Sequence, residues 1–202
     1  MAIGDPYATV EELRSSLKVE TGDPVSDEDL IRALVSVSRA IESWCERQFN
    51  DSGTPSPRRY RPLNCGLVLV DDFSTSDGLI VETSTDGSTW QTWDAADYEL
   101  EPTDGIVDGR PGWPYCRIRA VGARQFPVTR RTSVRVTARW GWAEVPAPVK
   151  EACLLLAAES VKLPDAPFGV AGFGEYGPVR VRDNPIAQNK LAPYRRAAAR
   201  VL

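Results

Sequence analysis

Two groups of carboxylates, four cysteines and a glycine-rich loop are the parts of this 202-residue chain that could do chemistry. Asp71 with Asp72, and Asp94 with Asp97, are candidates for general acid–base work, which needs carboxylates converging on one substrate. Adjacent strand residues point to opposite faces, so Asp71 and Asp72 do not converge. Both groups also lie beside turn signals, where aspartate bonds its own backbone. Cys45, Cys65, Cys116 and Cys153 are widely separated, and the chain contains no histidine. Ser-His and Cys-His nucleophiles are therefore excluded, and a zinc site would have to gather ligands from distant elements. Cys45 and Cys153 fall at helical core spacing, where a thiol behaves as a small hydrophobe. The loop carrying Gly169, Gly172, Gly174 and Gly177 lacks the Gly-Lys-Ser/Thr of a phosphate cradle. Phe168, Phe173 and Tyr176 alternate with its glycines, a pattern suited to docking on a neighbouring subunit. The expectation is a protein that is not an enzyme and holds no cofactor and no metal. A hydrolase using these aspartates is the reading that Asp→Asn variants would test.

Binding chemistry is better represented. Trp90, Trp93, Trp113 and Tyr115 could form a platform for a sugar, although tryptophan in small β-domains usually fills the core. Arg117, Arg119, Arg124, Arg130, Arg131, Arg135 and Arg139 make the same region basic. Charge is uneven along the chain. Residues 1–105 hold 21 acidic and 8 basic side chains, whereas residues 178–202 hold 1 and 6, within a formal net charge of −4. Arginine forks suit carboxylates and phosphates, so the expectation is pairing with the acidic half of the same domain or of a neighbouring subunit, with a nucleic-acid surface as the alternative on a chain of net negative charge. The tail, Leu191 to Leu202, sets Leu191, Pro193 and Tyr194 beside Arg195, Arg196 and Arg200. An aromatic anchor with adjacent arginines is the mixture enriched at interface hot spots.

The elements that position these residues follow from periodicity. Thr9-Val-Glu-Glu12 is a capping box opening a short helix that ends near Leu17. Ser26-Asp-Glu-Asp29 opens a longer one, with Leu30, Leu34, Val37, Ile41, Trp44 and Cys45 on one face. After the loop Asn50–Pro57 the period changes to two. Candidate strands are 58–61, 66–70, 79–84, 98–101, 116–120 and 133–140, with Asp86-Gly87 as a hairpin turn. The last strand runs into Trp140-Gly-Trp142, and Pro146 and Pro148 then lead into a third helix over 147–162. Asp183-Asn-Pro begins a short fourth helix. A chain of this length buries roughly 70% of its unfolded surface, enough for a real core. No apolar run approaches the roughly 20 residues needed to span a bilayer, and the N-terminus lacks a secretory signal. The expected fold class is α+β: a bundle of about four helices with a β-rich insert between the second and third helices. The expected division places N-terminal helices in 1–57 and the insert in 58–141. The third helix and glycine-rich loop occupy 142–182, and a docking arm occupies 183–202.

The junction from Ala138 to Ala152, built around Trp140, Gly141, Trp142 and Pro146, resembles the end of the β-region and the following helix in head-to-tail connector (adaptor) proteins of long-tailed bacteriophages. Tyr7-Ala-Thr-Val-Glu-Glu-Leu13, Asp27 to Phe49, Pro167-Phe-Gly-Val-Ala-Gly172 and Leu191-Ala-Pro-Tyr-Arg-Arg196 follow in the family's order. The resemblance implies a structural protein of the virion neck, assembled in the host cytoplasm. Identical copies would form a closed ring of about twelve on the portal. It would link the DNA-filled capsid to the next neck or tail-completion protein. Double-stranded DNA would pass through the channel without specific binding, and no membrane is involved. The tail residues Leu191, Pro193, Tyr194, Arg195, Arg196 and Arg200 would dock on the portal. Phe168, Gly169, Gly172, Phe173, Gly174 and Tyr176 would contact a neighbouring subunit. The alternative is a tail or baseplate binding module whose tryptophan-rich β-domain recognises a glycan.

Overall fold

The computed structural model describes residues 3–17, 26–162, 181 and 184–196. Among them are four α-helices and two antiparallel sheets, with every strand lying between the second and third helices in sequence. The fold is α+β. It divides into a helical unit, drawn from residues 3–49 and from 145 onward, and a β unit of residues 50–144.

In the helical unit, α1 (Val10–Leu17) starts at the expected capping box. Thr9 Oγ1 accepts the Glu12 N–H at 3.2 Å, and Glu12 Oε2 accepts the Thr9 N–H at 2.9 Å. Helix α2 (Asp27–Cys45) is capped by Ser26, whose side chain accepts from the Asp29 N–H. Three acids in its first turn suit the dipole. Its inward stripe buries Leu30, Leu34, Val37, Ile41 and Cys45, each large side chain contributing roughly 1.5–3 kcal/mol relative to exposure. The helix stops short of Phe49. Glu46 turns left-handed (φ 53°), and the N–H groups of Glu46 and Arg47 both reach the Glu42 carbonyl, closing the last turn. Phe49 then folds back edge-on to Tyr7, with ring centroids 5.6 Å apart. Helix α3 (Ala147–Lys162) begins where the Pro146 carbonyl takes the N–H groups of Val149 and Lys150. Pro148 sits in its first turn, where no N–H is needed. Helix α4 (Pro185–Leu191) is capped by Asn184, whose Oδ1 accepts from Ala187 N–H at 2.9 Å.

The β unit contains β1 (Ser56–Tyr60), β2 (Leu67–Phe73), β3 (Ile80–Thr83), β4 (Gln91–Thr92), β5 (Tyr98–Glu101), β6 (Tyr115–Ala120) and β7 (Val134–Ala138). One sheet runs β1-β7-β3-β4 and the other β2-β6-β5. Both feed a single core that includes Val68, Phe73, Val81, Ile118, Val136 and Trp140. The β3–β4 hairpin turns at Asp86, as its sequence requires. Asp86 Oδ1 accepts from the N–H groups of Thr89 and Ser88 and from the Ser84 hydroxyl. Those bonds to the ionised form hold the carboxyl well below the usual carboxylate range.

Residues 50–57, read from sequence as a loop beside the helices, are bonded into the β unit. Ser52 N–H donates to the Trp140 carbonyl at 2.8 Å, and Arg139 Nε donates to Asp51 at 2.8 Å.

Candidate partner-binding surfaces

The C-terminal segment is held against the end of α2. Leu191 is wholly buried within the helical unit, so its anchor is its own bundle. After α4 a 3-10 turn (Ala192–Tyr194) carries Tyr194 edge-on to Phe49, with centroids 6.0 Å apart. The Arg195 guanidinium lies over the Trp44 ring at 5.2 Å, and the Arg196 N–H donates to the Cys45 carbonyl at 2.8 Å. This last bond satisfies a carbonyl that the end of α2 would otherwise leave open. Burial pushes the Cys45 thiol up to about 12, although Arg47 and Arg195 nearby pull it the other way. The outcome is an aromatic and cationic surface at the end of α2, with Pro193 and Arg195 exposed on it and Tyr194 and Arg196 half-buried. Arg200, and the whole loop of Phe168, Gly169, Gly172, Phe173, Gly174 and Tyr176, lie outside the described residues.

Beneath this surface, Tyr7 ties three pieces of chain together. Its hydroxyl donates to Glu42 Oε1 at 2.6 Å and accepts from the Phe49 N–H at 3.2 Å. Its own N–H donates to Ser38 Oγ, which also bonds the Leu34 carbonyl and lies 3.5 Å from Cys153 Sγ. Burial, followed by the Glu42 hydrogen bond, pushes the phenol well above its usual range.

The junction residues occupy the β unit's interior. Trp140 is 1% exposed and packs edge-on to Phe73, and its indole N–H donates to the Ser56 carbonyl at 2.8 Å. Gly141 (φ 103°) passes so close to Asn50 that an added Cβ would lie 1.7 Å from the Asn50 carbonyl oxygen. Trp142 donates through its indole to Asp72 Oδ2 at 3.0 Å.

The four aspartates are used by the fold. Asp71 and Asp72 lie inside β2, not beside a turn, where the β2–β6 register shifts between Leu69 and Phe73. They point apart, as strand alternation requires. Asp71 takes Arg58 at 2.6 Å and the Tyr60 hydroxyl at 2.9 Å, while Asp72 faces Trp142. Asp94 and Asp97 form a capping box around a 3-10 turn (Ala95–Asp97), and Asp97 also takes Arg124 at 3.2 Å.

Nor do the tryptophans form the exposed platform that a sugar would need. Among the described residues all six are buried or half-buried. Trp93 stacks on Phe126 with centroids 4.5 Å apart and donates to Thr83. The Trp90 ring lies under two guanidinium groups, Arg135 at 4.4 Å and Arg59 at 5.3 Å. Sequence reasoning missed this last cluster, because Arg59 and Arg135 become neighbours only through the β1–β7 register.

The sequence matches no protein-family model and no curated protein. The fold is found in the neck of phage-like gene transfer agent (GTA) particles. A chain in the neck of an empty GTA particle, computed with C6 symmetry, is 18% identical, with a TM-score of 0.57 over 97% of this chain and 92% of that one. A chain in the neck of a native GTA particle, computed with C12 symmetry, is 17% identical, with a TM-score of 0.56 over 100% and 98%. The chain shares the fold of these chains from the neck of GTA particles. The connector resemblance read from its sequence agrees with that fold, and the likeness takes in both units.

Proposed function

We propose that this chain is a structural head-to-tail adaptor of a phage-like virion neck, forming a closed ring on the portal and joining the DNA-filled capsid to the tail. The observation that carries the reading is the near-complete coverage, in both directions, between this chain and neck chains from particles computed with C6 and C12 symmetry. Sixfold or twelvefold repetition requires heterologous contacts that close. The expected ring is one of about twelve identical copies, framing a channel through which double-stranded DNA passes without specific binding. The reading is of assembly without turnover: interfaces form and persist, and no bond is made or broken. The ring is offered to the next neck or tail-completion protein.

In this reading the portal docks on the surface at the end of α2, through Pro193, Tyr194, Arg195 and Arg196, and Arg200 also contacts the portal. Exposed guanidinium beside an aromatic ring favours a carboxylate-bearing partner. A pull-down with the cognate portal ring tests it, comparing the parent with Arg195→Glu/Arg200→Glu. Point variants are preferred to removal of the tail, because Leu191 and Tyr194 are part of the helical unit's own packing. Capture by the parent and loss in the double variant supports the adaptor role and its contact. Failure of the parent to bind an intact portal ring overturns both.

A further inference from the structure

The outer face of the β1-β7-β3-β4 sheet carries charges that the β unit does not balance. On β7, Arg135 is fully engaged: its Nε and Nη2 each lie 2.6 Å from an oxygen of Glu82, its register partner on β3, and its guanidinium lies over Trp90. Arg59 is the register partner of Arg135 on the other side, on β1. It lies over the same Trp90 ring but meets no carboxylate among the described residues. Arg61, just beyond the end of β1, is exposed, as is Arg131, whose Nη1 donates to the Asp86 carbonyl in the β3–β4 turn. Asp86 already spends one carboxylate oxygen on its own turn. This face therefore presents guanidinium groups, one of them placed over the same aromatic ring as Arg135, which takes a carboxylate there. Pre-ordered arginine beside tryptophan is hot-spot chemistry for a protein partner, whereas a duplex offers phosphates and no reason to order Trp90.

We propose that the Arg59–Arg61–Arg131 face of the β unit takes carboxylates of a second copy of this chain. The proposal rests on the ring reading and names one of its contacts. Two observations identify the occupant as another copy. The sequence concentrates acid in its first 105 residues, and the same β unit has exposed acids at Asp104 and Asp108 in the loop after β5, and at Glu99 on β5, where it lies opposite Arg119 of β6. Exposed guanidinium groups on one sheet and exposed carboxylates in the loop after the other make head-to-tail contacts, because the two patches differ, and such contacts close into rings. The matching fold occurs in particles computed with C6 and C12 symmetry.

The test uses the full chain at low ionic strength, with self-association measured by sedimentation velocity. One variant carries Arg59→Glu/Arg61→Glu. The other carries Glu99→Gln/Asp104→Asn/Asp108→Asn, since asparagine tolerates the positive φ at the last two positions. Neither substitution set touches a buried side chain, and circular dichroism confirms folding. The parent is expected to associate, weakening about tenfold or more as salt rises. Each variant alone is expected to stay monomeric. An equimolar mixture of the two is expected to stop at a dimer, because only one productive pairing remains. A parent that stays monomeric, or variants that associate as the parent does, overturns the proposal. So does a duplex-DNA affinity that falls in the Arg59→Glu/Arg61→Glu variant while association is unchanged, which would assign the face to phosphate. Incorporation into particles separates the two readings: variants found in normal necks leave the ring standing without this contact, whereas a parent chain absent from necks removes the ring itself.

Discussion

Replacing Gly141 with alanine should unfold the β unit at a markedly lower temperature, and the structure sets the size of the effect. The backbone at Gly141 has φ 103°, outside the region that side-chain-bearing residues adopt, which by itself costs about 1–3 kcal/mol. The added Cβ would also sit 1.7 Å from the Asn50 carbonyl oxygen and 2.7 Å from its carbon, both backbone atoms that no side-chain rotation can clear. Relief requires the two chain segments to separate. That strains the Gly141 N–H bond to the Asp72 carbonyl at 2.6 Å and the Ser52 N–H bond to the Trp140 carbonyl at 2.8 Å. Each such bond is worth about 1 kcal/mol net. The sum is about 3–5 kcal/mol, and at about 2–4 °C per kcal/mol the melting temperature should fall by about 6–20 °C. Gly53→Ala is the control. Gly53 is also left-handed (φ 72°), but no heavy atom lies within 4 Å of its would-be Cβ, so the cost is the conformational part alone, about 1–2 kcal/mol. Thermal melts followed by the fluorescence of the buried Trp93 and Trp140 measure both. Equal melting temperatures for the two variants would refute the close passage of Asn50 over Gly141.

Three further outcomes are expected. Tyr7→Phe leaves the Phe49 N–H and the Glu42 carboxylate without their shared hydroxyl, and should cost about 1–3 kcal/mol in a urea melt; an unchanged midpoint would show that water replaces it. Hydrogen bonds from Arg135 and Arg139 hold the Glu82 and Asp51 carboxyls below their usual range. A depressed folded-state pKa adds stability above the unfolded value and loses it as pH falls through the folded one. Arg135→Gln/Arg139→Gln should therefore be less stable than the parent at pH 7, with the gap closing below about pH 4; a gap of constant size across that range would contradict the ion pairs. Finally, Cys65 is exposed, whereas burial raises the pKa values of Cys45 and Cys153. A thiol reagent at pH 8 should modify Cys65 in the folded protein and reach Cys45 and Cys153 only on unfolding, and rapid native labelling of all three would show that the helical unit opens.

Helix positions and strand alternation were legible in the sequence because they are local. The capping box at Thr9, the N-cap at Ser26, the inward stripe of α2, the proline at the first turn of α3 and the Asp86 turn each act over four residues or one periodic face. They yielded the α+β class and the place of the insert, and the order of its aromatic and proline landmarks resembles that of phage head-to-tail connectors. What the sequence did not reveal depends on register and on where the chain crosses itself. Arg59 meets Trp90 because β1 pairs with β7, and Asp72 meets Trp142 because the chain leaving β7 passes the end of β2, where Trp140 bridges Phe73. Gly141 must be glycine because Asn50, far away in sequence, passes over it. The tail shows both sides: composition marked Tyr194 and Arg195 as interface chemistry, but only packing showed Leu191 buried and Arg195 laid over Trp44. Local patterns are set by backbone geometry that every sequence shares, whereas pairings across long stretches of chain exist only once the core has chosen one arrangement of its strands.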